Sequence, residues 1–176
     1  MDFKCAKISD FDRIADFYRS VIENTSDIEK YARWVYGQHP TDVMILNYIR
    51  QGAMYLLMDA QTIVGAVALT PSQGEDYHTI NWAVDAADDE VTVVHLLCVH
   101  PAYQRQGIGK RLILESIGFA ENALKKAIRL DALASNTPAH RMYRSLGFEH
   151  RGTQHLYAEN TGWTDFLFFE YVLKKV

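Results

Sequence analysis

Residues 98–113 read CVHPAYQRQGIGKRLI, placing two glycines and several cationic side chains between an apolar run and a helical pattern. Upstream, residues 91–100, VTVVHLLCVH, are nearly continuous in apolar character rather than alternating, as expected of a central strand covered on both faces. Downstream, Ile113, Ile117, Ala120 and Leu124 recur at helical spacing, and the pattern predicts a helix over about 109–126. A strand, a tight turn and a helix leave unpaired N–H groups pointing outward at the positive end of the helix dipole, where an anion is stabilised. Gly107 and Gly109 have no Cβ, so the backbone can take positive φ and approach an oxygen closely, while Arg105 and Lys110 add charge at the rim. The turn is therefore read as a phosphate or pyrophosphate cradle. It is not a Walker A loop, since Gln104 stands where the first glycine belongs and Arg111 where Ser or Thr belongs. Nor is it a dinucleotide fingerprint, because Leu112 occupies the third glycine position.

The rest of the chain supplies a fold around this junction. FKCAKI reads as a first strand, followed by an amphipathic helix capped at Ser9 or Asp10, with Ile14, Phe17, Tyr18, Val21 and Ile22 as its stripe. A second helix starts at Thr41, carries Ile45, Leu46 and Ile49 and stops at Gly52. AMYLLMD and TIVGAVALT form a hairpin, and residues 71–90 make a polar, acidic excursion before the central strand. AIRLDALA is a further strand; then Thr137 and Pro138 open a short helix that ends at Gly147, and two β segments close the chain. The order is strand, two helices, three strands, helix, strand, helix, two strands. It implies one α/β domain over 1–176 with a mixed sheet.

Composition narrows the function. Lys and Arg number 18 against 22 Asp and Glu, a net charge of −4, which argues against a general nucleic-acid or membrane-surface binder. Cys5 and Cys98 form no CxxC pair, and no His/Cys cluster has metal spacing, so no metal site is expected. The charged N-terminal stretch and the lack of any membrane-length apolar run point to a cytoplasmic chain.

Two motifs then converge. Gln104, Gly107 and Gly109 fit Gln/Arg-x-x-Gly-x-Gly/Ala, and ASNTPAHRMYRSLGF places Asn136, Ala139, Tyr143, Gly147 and Phe148 in Asn-x-x-Ala-x-x-x-Tyr-x-x-x-Gly-Phe. In these motifs and in element order the chain resembles the GNAT superfamily of N-acetyltransferases. The resemblance implies a GNAT fold: a mostly antiparallel mixed sheet of six to seven strands flanked by about four helices. It also implies acetyl-CoA as donor, with its pyrophosphate on the N–H groups of Gln104, Arg105, Gln106, Gly107, Ile108 and Gly109, and Lys110 at the rim. The pantetheine arm would pair with the main chain of Leu97 and Val99, with the Leu97 N–H near the acyl carbonyl. Asn136 would bond the same arm or simply cap the helix it precedes.

Transfer to an amine needs a base and an acid. Tyr143 matches the family's tyrosine at the thioester sulfur and is the expected acid. His95 matches a histidine of the arylalkylamine acetyltransferases and is the first candidate base, with Asp131 second. Cys98 is expected to be a buried apolar residue, not an acyl carrier, so transfer should be direct. Acceptor contacts are sought among Tyr31, Trp34, Tyr36, His39, Trp82, Tyr157 and Trp163, either as cation–π partners of an amine or as plain core. The expected partner is a small-molecule or peptide amine, and a homodimer through the last hairpin is possible. A non-enzymatic coenzyme A sensor or interaction module is the alternative.

Overall fold

The computed structural model describes residues 1–174. Its strands are β1 (Asp2–Cys5), β2 (Met54–Asp59), β3 (Thr62–Thr70), β4 (Val91–Val99), β5 (Ala127–Leu133), β6 (Glu149–Ala158) and β7 (Gly162–Val172). Its helices are α1 (Phe11–Asn24), the single-turn α2 (Ile28–Tyr31), α3 (Asp42–Arg50), α4 (Ile108–Asn122) and α5 (Thr137–Ser145). The strands form one seven-stranded sheet in the order β1-β2-β3-β4-β5-β7-β6, antiparallel throughout except between β4 and β5.

Each face of the sheet is covered by helices whose apolar stripes face it. Ile14, Phe17, Tyr18 and Val21 of α1 and Ile45 and Ile49 of α3 are buried against Leu56, Met58, Ala66, Ala68, Leu96 and Cys98. On the other face Ile108, Leu112, Ile113, Ile117 and Ala120 of α4, with Tyr143 of α5, pack on Val64, Val67, Val94, Ile128, Leu130 and Phe169. Gly65 makes α4's close approach possible: a Cβ there would lie 2.7 Å from Leu112 Cδ1. The α4 helix is shorter than its periodicity predicts. Leu124 adopts φ 56° beyond the last turn and is 88% exposed, so the buried stripe ends at Ala120. A left-handed residue just past the end is a common helix terminator.

The excursion at 71–90 is more than a polar loop. Tyr77 and Ile80 join Val91, Val93, Ala127 and Phe168 in a third apolar cluster, and Trp82 packs against it. Beneath it Arg129 of β5 and Glu170 of β7 form an ion pair 1% and 0% exposed at 2.9 Å. Arg129 also donates to the Val84 carbonyl and to Gln73, and Glu170 accepts from the Ala83 N–H, so a buried charge pair is satisfied by the loop it anchors.

The central irregularity lies in β4. Ala66 pairs with Cys98 but Ala68 pairs with His95, a register shift that marks a bulge, and Leu96 within it has φ 50°. Such a conformation costs a non-glycine residue about 1–3 kcal/mol and persists only where its surroundings hold it. Here the fully buried Tyr18 does so, its hydroxyl donating to the Leu96 carbonyl at 2.8 Å. Tyr18→Phe keeps the ring and strands that carbonyl, so it should destabilise the fold by about 1–3 kcal/mol in urea unfolding; an unchanged midpoint would deny the hydroxyl this role.

Candidate active site

The bulge reassigns side chains to faces. Val94 packs on the α4 side and Val93 on the opposite side; His95 then continues on Val93's side, and the extra residue keeps Leu96 and Cys98 there too. Leu97 and Val99 consequently pack on the α4 side. The same stretch leaves its parallel neighbour. β4 pairs with β5 only from Val91↔Ala127 to Val94↔Leu130, after which β5 follows β7 as far as Leu133↔Phe166. The gap opens into a cleft of about 1260 Å³, lined among others by Leu97, Val99, Asp131, Leu133 and Tyr143.

At one end of the cleft stands the turn quoted at the outset. Arg105 has φ 61° and Gly107 φ 82°, two left-handed residues flanking one that is not, a sequence that curls successive N–H groups into a concave nest. Gly107 is the N-cap of α4 and no side chain caps the helix. The first turn holds no acidic residue and instead carries Lys110, an arrangement unfavourable to the helix dipole that a bound anion would reverse. The glycines divide the work differently from expectation. Gly107 supplies the positive φ, whereas Gly109 is helical and its missing Cβ makes room for Met142, whose Sδ would lie 3.0 Å from one. Gln104, Arg105, Gly107, Ile108, Gly109 and Lys110 all line the cleft. Gln106 does not, because its side chain turns back to donate to the Ala102 carbonyl. Gln104 ties the turn to the end of α1 through Thr25 at 3.0 Å. Asn136 lines the cleft while capping α5, its Oδ1 accepting from the Ala139 N–H at 3.4 Å.

Tyr143 of α5 is 7% exposed and reaches the cleft, its ring held by Phe148 and Phe169 at 5.9 and 5.8 Å. Burial, reinforced by the charge of Asp131, raises its pKa, so the phenol is protonated at neutral pH. His95 also lines the cleft, its Nε2 hydrogen-bonded to Thr70 Oγ1 at 3.2 Å and its ring stacked on Tyr48 at 5.9 Å. Burial lowers its pKa, which favours neutral imidazole. Cys98 lies against the same wall, and burial pushes its thiol up, away from the thiolate a nucleophile requires.

Asp131 is more central than the sequence suggests. Its carboxylate raises Tyr143, Tyr48 and Tyr77 and counteracts the lowering of His39 and His95, so groups from five parts of the chain surround it. Tyr77 fixes it, donating to Oδ1 at 2.6 Å from a ring stacked on Trp82. Neither Tyr48, which sits at core spacing on α3, nor Tyr77, inside an acidic loop, shows in the sequence as a site residue. Arg141, also in the cleft lining, was signalled only as a cation two residues from Tyr143.

The aromatic candidates separate. Tyr31, Trp34 and His39 line the cleft. Tyr36 is engaged outside it by Asp42 and by Arg19, 4.6 Å over its ring. Trp82 is structural, donating to the Tyr77 carbonyl and lying 4.2 Å beneath the Arg129 guanidinium. Tyr157 and Trp163 are 58% and 66% exposed on the β6–β7 hairpin, away from the lining. Among the described residues no cluster of His, Cys, Asp and Glu has metal-site geometry, and no helix is long and apolar enough to cross a membrane.

Comparison with known proteins agrees with this architecture. Residues 18–148 match the model of the Acetyltransferase (GNAT) family, and the chain belongs to that family. It is 38% identical over 69 residues to the N-alpha-acetyltransferase RimI of Mycobacterium tuberculosis, which covers 39% of this chain and 42% of that protein. Its matches to curated relatives span less than two thirds of those proteins' own lengths. Among solved structures, a ribosomal-protein-alanine N-acetyltransferase from Brucella melitensis superposes with a TM-score of 0.69 at 21% identity, covering 98% of this chain and 100% of that one. The yncA structure from Salmonella typhimurium, solved with acetyl-CoA, gives 0.70 at 17% identity, covering 100% and 95%. These likenesses establish the shared fold.

The buried histidines make stability depend on pH. Burial lowers the pKa of His39, His95 and His140 below the ordinary value near 6.5, so the unfolded chain takes up protons first as pH falls. Their contribution to stability is complete above about pH 6.5 and is lost as pH drops through their folded values. Unfolding free energies should be flat from about pH 7 to 8 and decline from about 6.5 toward 5.5, less steeply in His95→Gln; a flat profile across that range would contradict this.

Proposed function

We propose that the protein transfers an acetyl group from acetyl-CoA directly to the nitrogen of an amine. The observation that carries this reading is that a protonated phenol, a neutral imidazole and a carboxylate share one cleft, at the point where β4 and β5 part and beside an uncapped basic helix terminus. The turn at 105–110 would hold the donor's diphosphate through main-chain N–H groups, that of Gln104 being engaged by the Pro101 carbonyl, with Lys110, Arg105 and Arg141 adding charge. The free edge of β4 beyond Val94 would pair with the pantetheine amides. A trans peptide points its C=O and N–H in opposite directions, so a Leu96 carbonyl turned to Tyr18 sends the Leu97 N–H away from α1, where it would stabilise charge developing on the thioester oxygen.

Asp131 would receive the acceptor's ammonium, and His95, directly or through water, would take the proton that must leave before attack. As the N–C bond forms and the C–S bond breaks, Tyr143 would donate its proton to the departing sulfur. Burial raises the pKa of Cys98, which supports direct transfer over an acyl-cysteine intermediate. The name of the mycobacterial relative, an N-alpha-acetyltransferase, supports the reaction class.

Purified protein with acetyl-CoA and a broad amine panel should release free thiol in an acceptor-dependent manner. Tight coenzyme A binding without such release would instead indicate a sensor. Tyr143→Phe should lower kcat by about 10²-fold or more with the Kd for acetyl-CoA unchanged, whereas Cys98→Ala should remain active. Full activity in Tyr143→Phe would move the acid elsewhere. Gly107→Ala has space for its methyl group, but φ 82° costs an L-residue about 1–2 kcal/mol; a turn that relaxes to avoid this strain must take it up again on binding, so acetyl-CoA should bind up to tenfold more weakly by calorimetry. Equal affinity would argue that the left-handed turn at Gly107 is not needed to hold the donor.

A further inference from the structure

The two ends of the cleft differ in charge. The Lys and Arg side chains of its lining are Arg105, Lys110 and Arg141, all on the turn or on α5 where the donor's phosphates are assigned. The opposite end, formed by the chain after α2, by α3, β5 and the β6–β7 turn, presents Asp131 and no lysine or arginine. Arg33 lies nearby in sequence but outside the lining, its guanidinium turned to the Thr161 carbonyl at 3.3 Å. The histidines at this end, His39 and His95, are held neutral by burial and supply no positive charge at neutral pH. Tyr77 meanwhile fixes the orientation of Asp131 in the wall, its hydroxyl donating to Oδ1 at 2.6 Å. The rest of this end combines the aromatic faces of Trp34, Tyr48 and Phe166 with the uncharged Asn160 and Thr161 of the β6–β7 turn.

An ammonium entering this end meets a fixed carboxylate and aromatic faces, both attractive to a cation. A carboxylate beside the reacting nitrogen meets Asp131 with no lysine or arginine in the lining to offset the repulsion, the guanidinium of Arg33 being held on the Thr161 carbonyl, in a place where leaving water is costly. We propose that the acceptor is an amine with no free carboxylate on the carbon bearing the nitrogen, carried on an apolar body, and that Asp131 enforces this choice. The inference rests on the acetyl-transfer reading above. Its chemistry is shared by simple alkyl and aryl amines and by a polypeptide N-terminus, whose own carboxyl is tied up as an amide, and it excludes free amino acids as preferred acceptors.

The test compares 2-phenylethylamine with phenylalanine, which share ring and spacing and differ in the carboxylate, and adds a phenylalanine-initiated tripeptide amide. With acetyl-CoA saturating, kcat/KM for at least one carboxylate-free acceptor should exceed that for phenylalanine by about tenfold or more, roughly 1.4 kcal/mol. The faster of the two assigns the source of the amine. Asp131→Asn should draw the ratio toward unity. Should that variant misfold, Arg33→Gln removes the guanidinium held on the Thr161 carbonyl near this mouth and should lower phenylalanine turnover relative to the amine. Phenylalanine used as well as or better than both other acceptors, or ratios unmoved in both variants, would overturn the proposal. Thiol release from no acceptor at all would defeat the acetyl-transfer reading and this inference with it.

Discussion

A single hydrogen bond, from the buried Tyr18 hydroxyl to the carbonyl of Leu96, organises the centre of this protein. It holds a left-handed residue within the central strand β4, and several consequences follow from that one defect. The bulge adds one residue to the alternation of β4, which turns Leu97 and Val99 toward α4 and leaves His95 on the side of α1 and α3. Just beyond Val94 the strand stops pairing with β5, and main-chain groups that a parallel sheet would consume line a cleft instead. In the proposed reaction, donor and acceptor would approach from opposite faces of the sheet and meet in its plane.

The electrostatics of the site depend on parts of the chain that never touch it. The Arg129–Glu170 pair pins the 71–90 excursion to the sheet, the excursion presents Tyr77, and Tyr77 orients Asp131. Asp131 in turn biases the ionisation of the phenol at 143 and of the two cleft histidines. At the other end, a helix that begins with basic residues and without a side-chain cap would gain stability from a negative charge placed before it. Cations at one end and a carboxylate at the other suit a polyanionic donor and a cationic acceptor.

Much of this was legible in the sequence because it rests on local rules. The order of elements followed from apolar periodicity, and the tight turn before α4 followed from Gly107 and Gly109 between a continuous apolar run and a helix. Tyr143 and Asn136 carried a motif, although the main-chain contact of Asn136 within the protein is a cap. What was not legible depends on pairings distant in sequence. No spacing rule brings Tyr77 to Asp131 across 54 residues or Tyr18 to Leu96 across 78. Trp82 and Tyr36 looked like acceptor contacts because aromatic residues near acids read alike whether they face a cleft or cover a buried guanidinium. Leu124 kept helical spacing beyond the point where the backbone had already turned left-handed.

If the bulged strand and the turn after it form one continuous donor site, a crystal structure of the protein with acetyl-CoA will show the diphosphate oxygens on the N–H groups of residues 105–110, the pantetheine amides on β4 beyond Val94, and the thioester oxygen on the Leu97 N–H beside Tyr143. A nucleotide bound elsewhere, or a thioester oxygen turned away from Leu97, would contradict it.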